Sequence, residues 1–250
     1  MKIKTVLILV ALSMTMTSCK TTEPTQPTKV SVVVVGMENS KWAGSCPGAH
    51  VDAYRMAEEF RRRYSDVVVL EDSKATKNAV KKALSSAANA DLTILFYSGH
   101  GGSERFSDTG PEEIDNQDEY LCLYDTYMRD NEIWEFVTQC KGRVWLIFDC
   151  CHSETMFRSV GFRMKMMDNM VLPLSNTINM LCWSGCADNT FSYGDVSGGV
   201  FTDAIFRYLD SSLTYDKMWS LLTKDETLKS YEIIKRTKIG TGFDRKKVFE

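Results

Sequence analysis

VWLIFDCCHSE, residues 144–154, is an apolar run that stops abruptly at an acid, two adjacent cysteines and a histidine. A run this short and this continuously apolar reads as a strand buried on both faces. Four more runs share the pattern: VSVVVVG (30–36), DVVVLE (66–71), DLTILFYS (91–98) and TINMLCWS (177–184). The strand containing the opening stretch extends back to Gly142. Between the runs lie helical patterns at 49–64, 73–88, 131–140, 199–210 and 214–224. In the first of these, Val51, Tyr54, Met56 and Phe60 fall near one face. The tail from about Arg236 ends in KKVFE, a candidate last strand. Buried strands alternating with helices specify an α/β fold. The expected sheet has about six strands, mostly parallel, with helices on both faces.

In such sheets ligands bind beyond the carboxyl ends of the strands, and two of those ends carry chemistry. The third strand runs into YSGHGG (97–102) and the fourth into DCCHS (149–153). Strand side chains alternate faces, so Ser98 and His100 share a face, as do Asp149 and Cys151. Cys150 points the other way and reads as a packed neighbour. A cysteine attacks a carbonyl as thiolate, and a nearby histidine can take its proton. Cys151 is therefore the candidate nucleophile and His100 the candidate base. Backbone N–H groups of Gly101 and Cys151 are candidate donors to an oxyanion. Taken singly, a histidine after a strand is more often a turn residue and a cysteine there more often core. The two motifs on consecutive strands favour the chemical reading. A zinc site of Cys150, Cys151 and His152 is the competing chemistry, but contiguous ligands lack the usual spacing.

The N-terminus stands apart from the fold. Residues 1–18 place Lys2 and Lys4 before a short apolar run and small residues, which reads as a secretory signal. KTTEPTQPTK (20–29) is a polar, proline-containing tether, and the folded domain is expected over 30–250. Removing the signal leaves 28 basic against 33 acidic residues, a net charge of −5. With no basic stripe, nucleic acid is not an expected partner. Eight cysteines in an exported chain suggest disulfides, but their scatter and the domain's size argue against that. Cys182 and Cys186 read as core or as metal ligands, with core favoured.

At YSGHGG and DCCHS the chain resembles the caspase-like cysteine peptidases, and within them the metacaspases. GAHVDAYRM (48–56), QDEYLCLYD (117–125), SGCADNTFSYG (184–194) and GGVFTDAIFRYL (198–209) are similar to further family segments. The resemblance implies a caspase-like three-layer sandwich and a usually monomeric endopeptidase that attacks protein or peptide substrates. It maps the nucleophile to Cys151 and the base to His100. It implies cleavage after arginine or lysine through a pocket of Asp52, Ser98 and Asp149, where paired carboxylates would hold a guanidinium or ammonium. Aspartate-directed cleavage and a peptide-binding pseudoenzyme are the alternatives. The stretch before Cys19 resembles a bacterial lipoprotein box, implying lipidation of Cys19 and anchoring to a membrane on the periplasmic side or at the cell surface; simple secretion is the alternative. No cofactor is required by this reading, but many metacaspases hold calcium, and Asp115 and Asp130 match their acids while Asn131 replaces one. A further family acid falls near Arg158, which does not suit a hard cation. Self-processing in the family's corresponding loop points to Arg158, Arg163 or Lys165. Glu154 replaces a usual glycine.

Overall fold

A computed structural model describes residues 29–104, 118–150, 178–185, 194–231 and 234–250. The strands are β1 (Val30–Met37), β2 (Asp66–Glu71), β3 (Leu92–Gly99), β4 (Gly101–Glu104), β5 (Asp118–Cys122), β6 (Tyr127–Arg129), β7 (Arg143–Asp149), β8 (Asn179–Ser184), β9 (Gly194–Asp195), β10 (Gly198–Gly199) and β11 (Lys235–Ile239). The helices are α1 (Ala49–Arg61), α2 (Lys77–Ala87), α3 (Asp130–Gln139), α4 (Val200–Tyr208), α5 (Tyr215–Leu222) and α6 (Glu226–Tyr231). The main sheet has the order β11-β8-β7-β3-β1-β2, parallel throughout except for β11, which runs antiparallel to β8. The expected six-stranded, mostly parallel α/β sandwich is the observed fold. β1 and β3 are buried along their whole length, as parallel strands covered on both faces must be.

Alternation along the strands divides the interior into two cores. Val33, Val35, Leu95, Leu146 and Phe148 face α2 and α3, meeting Val80, Leu84, Ile133 and Val137. Val32, Val34, Ile94, Phe96, Trp145 and Ile147 face α1 and α4–α6, meeting Met56, Phe60, Phe201 and Met218. On that second face Trp145 packs edge-on against Trp183 and Tyr215, with ring centroids 5.0 and 4.9 Å apart. Such pairs add to the gain from burial alone.

Several boundaries differ from expectation. Helix α2 starts at Lys77 because Thr76 caps it, its hydroxyl accepting the Ala79 N–H at 3.3 Å. The residues before it form a 3-10 turn, Asp72–Lys74. Tyr54 does not join the buried face of α1; it is exposed, and Asp52 and Ala53 turn inward instead. The last strand is Lys235–Ile239, not the KKVFE tail. That tail lies beside α5, where the Val248 N–H donates to Leu213 O at 2.8 Å and Val248 and Phe249 are buried. Two small antiparallel units, β4-β5-β6 and β9-β10, had no alternating pattern to announce them. Among the described residues no helix is long and apolar enough to cross a membrane.

Candidate active site

The register pairs Ser98 at the end of β3 with Asp149 at the end of β7. Both lie on the α1 side of the sheet, where Asp52 comes in from the first turn of α1. The Ser98 hydroxyl donates to Asp52 Oδ2 at 2.9 Å. The Gly199 N–H reaches both Asp52 oxygens, at 3.1 and 3.0 Å. Asp149 Oδ2 accepts the Thr202 N–H at 3.0 Å and the Thr202 hydroxyl at 2.6 Å. Thr202 sits in the first turn of α4, so that helix also presents its positive end to Asp149. Asp52 is 1% exposed, and Ser98 and Asp149 are 4% exposed. The three residues expected to form a basic-side-chain pocket are thus joined at one buried point. Burial, and then the charge of Asp149, push the Asp52 carboxyl up to about 8, against the opposing pull of Gly199, Ser98 and Arg55.

The Gly198–Gly199 pair is required by closeness. A Cβ on Gly198 would fall inside contact distance of Asp52 Oδ1, and one on Gly199 inside that of Asp149 Oδ2. Gly198 also adopts φ 126°, which side chains disfavour. Gly199 and Thr202 were not singled out from the sequence, although the GGVFT run marked the segment.

His100 is half-buried at the break between β3 and β4. Its Nε2 lies 2.9 Å from Ser45 O. A carbonyl only accepts, so Nε2 carries the proton, and in the neutral ring Nδ1 keeps a lone pair able to act as a base. Ser45 belongs to a loop bridged to Asn39. That loop is anchored by Asp72 at the end of β2, whose Oδ1 accepts the Glu38 and Asn39 N–H groups at 3.0 and 2.8 Å. Beneath the histidine, Tyr97 Oη lies 2.6 Å from His100 O and 2.7 Å from Cys122 O. Cys122 N–H donates to His100 O at 3.0 Å. Gly101, opposite Leu121, therefore falls at a non-hydrogen-bonded position of the β4-β5 ladder. Its N–H points away from β5. Ser45, 55 residues from His100 in sequence, gave no local signal of its part.

Cys150 is 1% exposed and packs in the core facing α2 and α3. Asp149 faces the opposite core, so the strand alternation holds up to this point. Cys151, His152, Glu154, Arg158, Arg163, Lys165, Cys186, Asp115 and Cys19 lie outside the described residues. Cys182 is buried beside Ser184, and burial pushes its thiol up to about 12, as for a core residue. The five cysteines among the described residues are all unbridged. Asp130 and Asn131 open α3, far along the chain from the acid pair. Asp130 is 1% exposed and its Oδ1 accepts the Asn131 N–H at 2.6 Å. Among the described residues no three His, Cys, Asp or Glu side chains converge as a cation shell.

The fold has counterparts among known proteins. No curated protein matches the chain. A crystal structure of a Geobacter sulfurreducens protein aligns with 89% of this chain and 100% of its own, at TM-score 0.68 and 22% identity. Caspase-1 from Spodoptera frugiperda aligns over 84% of this chain and 88% of its own, at TM-score 0.59 and 13% identity. These likenesses are of fold. The family description of the caspase domain matches residues 30–228. With that match covering most of its length and its two strand-end motifs inside it, the chain belongs to the caspase domain family of cysteine peptidases.

Proposed function

We propose that this protein is a cysteine endopeptidase that cleaves after arginine or lysine. The observation that carries the reading is the buried Asp52–Ser98–Asp149 constellation, whose Ser98 lies on β3 two residues before His100. A pair of carboxylates attracts a guanidinium or ammonium and repels an acidic side chain. In the reaction His100 Nδ1 takes the Cys151 thiol proton, and the thiolate attacks the scissile carbonyl carbon. The N–H groups of Gly101 and Cys151 stabilise the oxyanion. Collapse breaks the C–N bond, and His100 gives its proton to the leaving amine. Water, deprotonated by His100, then hydrolyses the thioester and restores the thiol.

The proposal extends to self-cleavage after Arg158, Arg163 or Lys165, and to a monomer exported and held at a bacterial membrane through a lipid on Cys19. The test is hydrolysis of fluorogenic peptides ending in arginine, lysine or aspartate, under reductant. Cys151→Ala is expected to abolish turnover and Cys150→Ala to keep most of it; the reverse outcome overturns the assignment. Calcium titration in the same assay is expected to leave turnover unchanged. Saturable activation would instead put a cation at Asp115, Asp130 and Asn131. An intact single chain in an active preparation would remove self-cleavage, and loss of membrane association in Cys19→Ala is expected if the anchor is real.

A further inference from the structure

The loop between β1 and α1 crosses the site from one side to the other. Its end, Gly48, packs against Gly198 beside the Asp52 constellation. Its middle, Ser45, holds the imidazole. Asn39 bridges to Ser45, so the residues between them form a turn with Trp42 at its tip. That tip is fastened just past β5. The indole Nε1–H donates to Leu123 O at 3.2 Å, the Ser40 hydroxyl donates to the same oxygen at 3.1 Å, and the Lys41 N–H donates to Tyr124 O at 3.0 Å.

There Trp42 meets two tyrosines. Leu121 and Met128 pair across β5 and β6 and are buried, so Tyr120 and Tyr127 stand on the opposite face. Ring centroids lie 6.1 Å apart for Trp42 and Tyr120, 6.2 Å for Trp42 and Tyr127, and 5.5 Å for the tyrosines. Trp42 is 44% exposed and both tyrosines are half-buried. The Tyr120 ring lies across Gly102, where an added Cβ would come within 2.6 Å of its hydroxyl oxygen. Gly102 is two residues past His100, so the aromatic surface begins beside the base. A single exposed apolar side chain needs no explanation. Three rings in contact, with the indole pinned and one edge at the base, make a surface. Charges of both signs border it. Lys41 lies over the Tyr124 ring, Lys77 lies over Tyr127 and pairs with Glu132, and Glu104 acts on Tyr120. The surface therefore offers apolar area rather than one sign of charge.

Its place along the loop says what would lie on it. His100 protonates the leaving amine, so that amine sits beside the imidazole. The peptide continuing from it runs away from the Asp52 constellation, toward the tip of the turn. Three residues separate Ser45 from Trp42, at most about 11 Å of chain, a distance that two or three extended peptide residues cover.

We propose that Trp42, Tyr120 and Tyr127 form the subsite for the leaving side of the substrate, and take an aromatic or large aliphatic side chain at the first or second position after the scissile bond. The inference rests on the chain being a peptidase whose substrate places the preceding residue on the Asp52 side of His100, as proposed above; it does not depend on which residue that is.

The measurement is kcat/KM of the purified full chain, under reductant, on internally quenched peptides. These carry arginine before the cut and phenylalanine, leucine or glycine at either position after it. Phenylalanine is expected to exceed glycine about tenfold at one of the two positions, the scale of an aromatic pair. Trp42→Ala and Tyr127→Ala should bring that ratio to within about twofold of one. A uniform loss on every peptide with the ratio kept would mean that the rings only brace the loop holding His100, and overturns the inference. Cleavage-site profiling in a mixed peptide library reads both sides of the cut. Aromatic enrichment after the cut, without arginine or lysine before it, overturns the proposed specificity and leaves this subsite standing. Arginine or lysine before the cut with no preference after it does the reverse. Binding supplies a readout free of turnover. The Cys151→Ala chain should bind the phenylalanine peptide about tenfold more tightly than the glycine peptide, and equal Kd values overturn the inference.

Discussion

Asp52→Asn should change how stability depends on pH, whatever the chain cleaves. The folded protein raises this carboxyl from 3.8 to about 8, first through burial and then through the charge of Asp149. In the unfolded chain it stays near its ordinary value. The folded state therefore holds the proton more tightly, and the resulting stabilisation is fully present below about pH 4 and is lost as pH rises through about 8. Within that window each step of one in pH removes about 1.4 kcal/mol, so the loss between pH 4 and 7 is on the order of 4 kcal/mol. Against a typical total of roughly 5–15 kcal/mol that is a large share. For a chain of this size it amounts to on the order of 10 °C in Tm. Asparagine is neutral at every pH, and its carbonyl can still accept the Gly199 N–H. Thermal unfolding of the full chain is followed for both proteins from pH 5 to 8.5. The wild type should lose Tm relative to Asp52→Asn as pH rises, by several degrees or more. Parallel curves would refute the reasoning, since they would mean that Asp52 titrates alike in the folded and unfolded chains.

Three further substitutions probe the site and its scaffold. Tyr97→Phe removes the hydroxyl that the His100 and Cys122 carbonyls share; it should cost about 1–3 kcal/mol by denaturant titration and lower kcat more than it raises KM. Gly199→Ala pushes a methyl group onto Asp149; KM for arginine peptides should rise at least about tenfold, at a stability cost of about 1–3 kcal/mol. Trp145→Ala empties the centre of the aromatic stack and should cost about 3–5 kcal/mol in denaturant titration, and an unchanged midpoint would contradict the packing described.

The sheet was legible because its central strands are buried on both faces, which leaves runs such as VVVV (32–35) and VWLIF (144–148) with no polar residue to blur them. The same regularity separated Cys150 from Asp149, since a period of two decides which face each one joins. Asp52 was harder to place. The family resemblance named it as a pocket residue, but the periodicity of its helix assigned the inward face to Tyr54. The fold turns Asp52 inward, its desolvation offset by hydrogen bonds from Ser98 and Gly199. The partners missed altogether, Ser45, Gly199 and Thr202, act through contacts that join distant segments. Ser45 and Gly199 act through a backbone carbonyl and a backbone N–H, for which no residue type is diagnostic. The β4-β5-β6 unit was missed because GGSE offers no alternation to read.

The imidazole takes its orientation from a remote part of the molecule. Asp72, an aspartate with φ 43° at the outer rim of the sheet, pins Glu38 and Asn39, and their loop delivers the Ser45 carbonyl to His100. This makes the 39–48 segment a tuning arm. A change at Asp72 is therefore expected to be felt at the imidazole, through a loop whose far end, Gly48, also rests against Gly198.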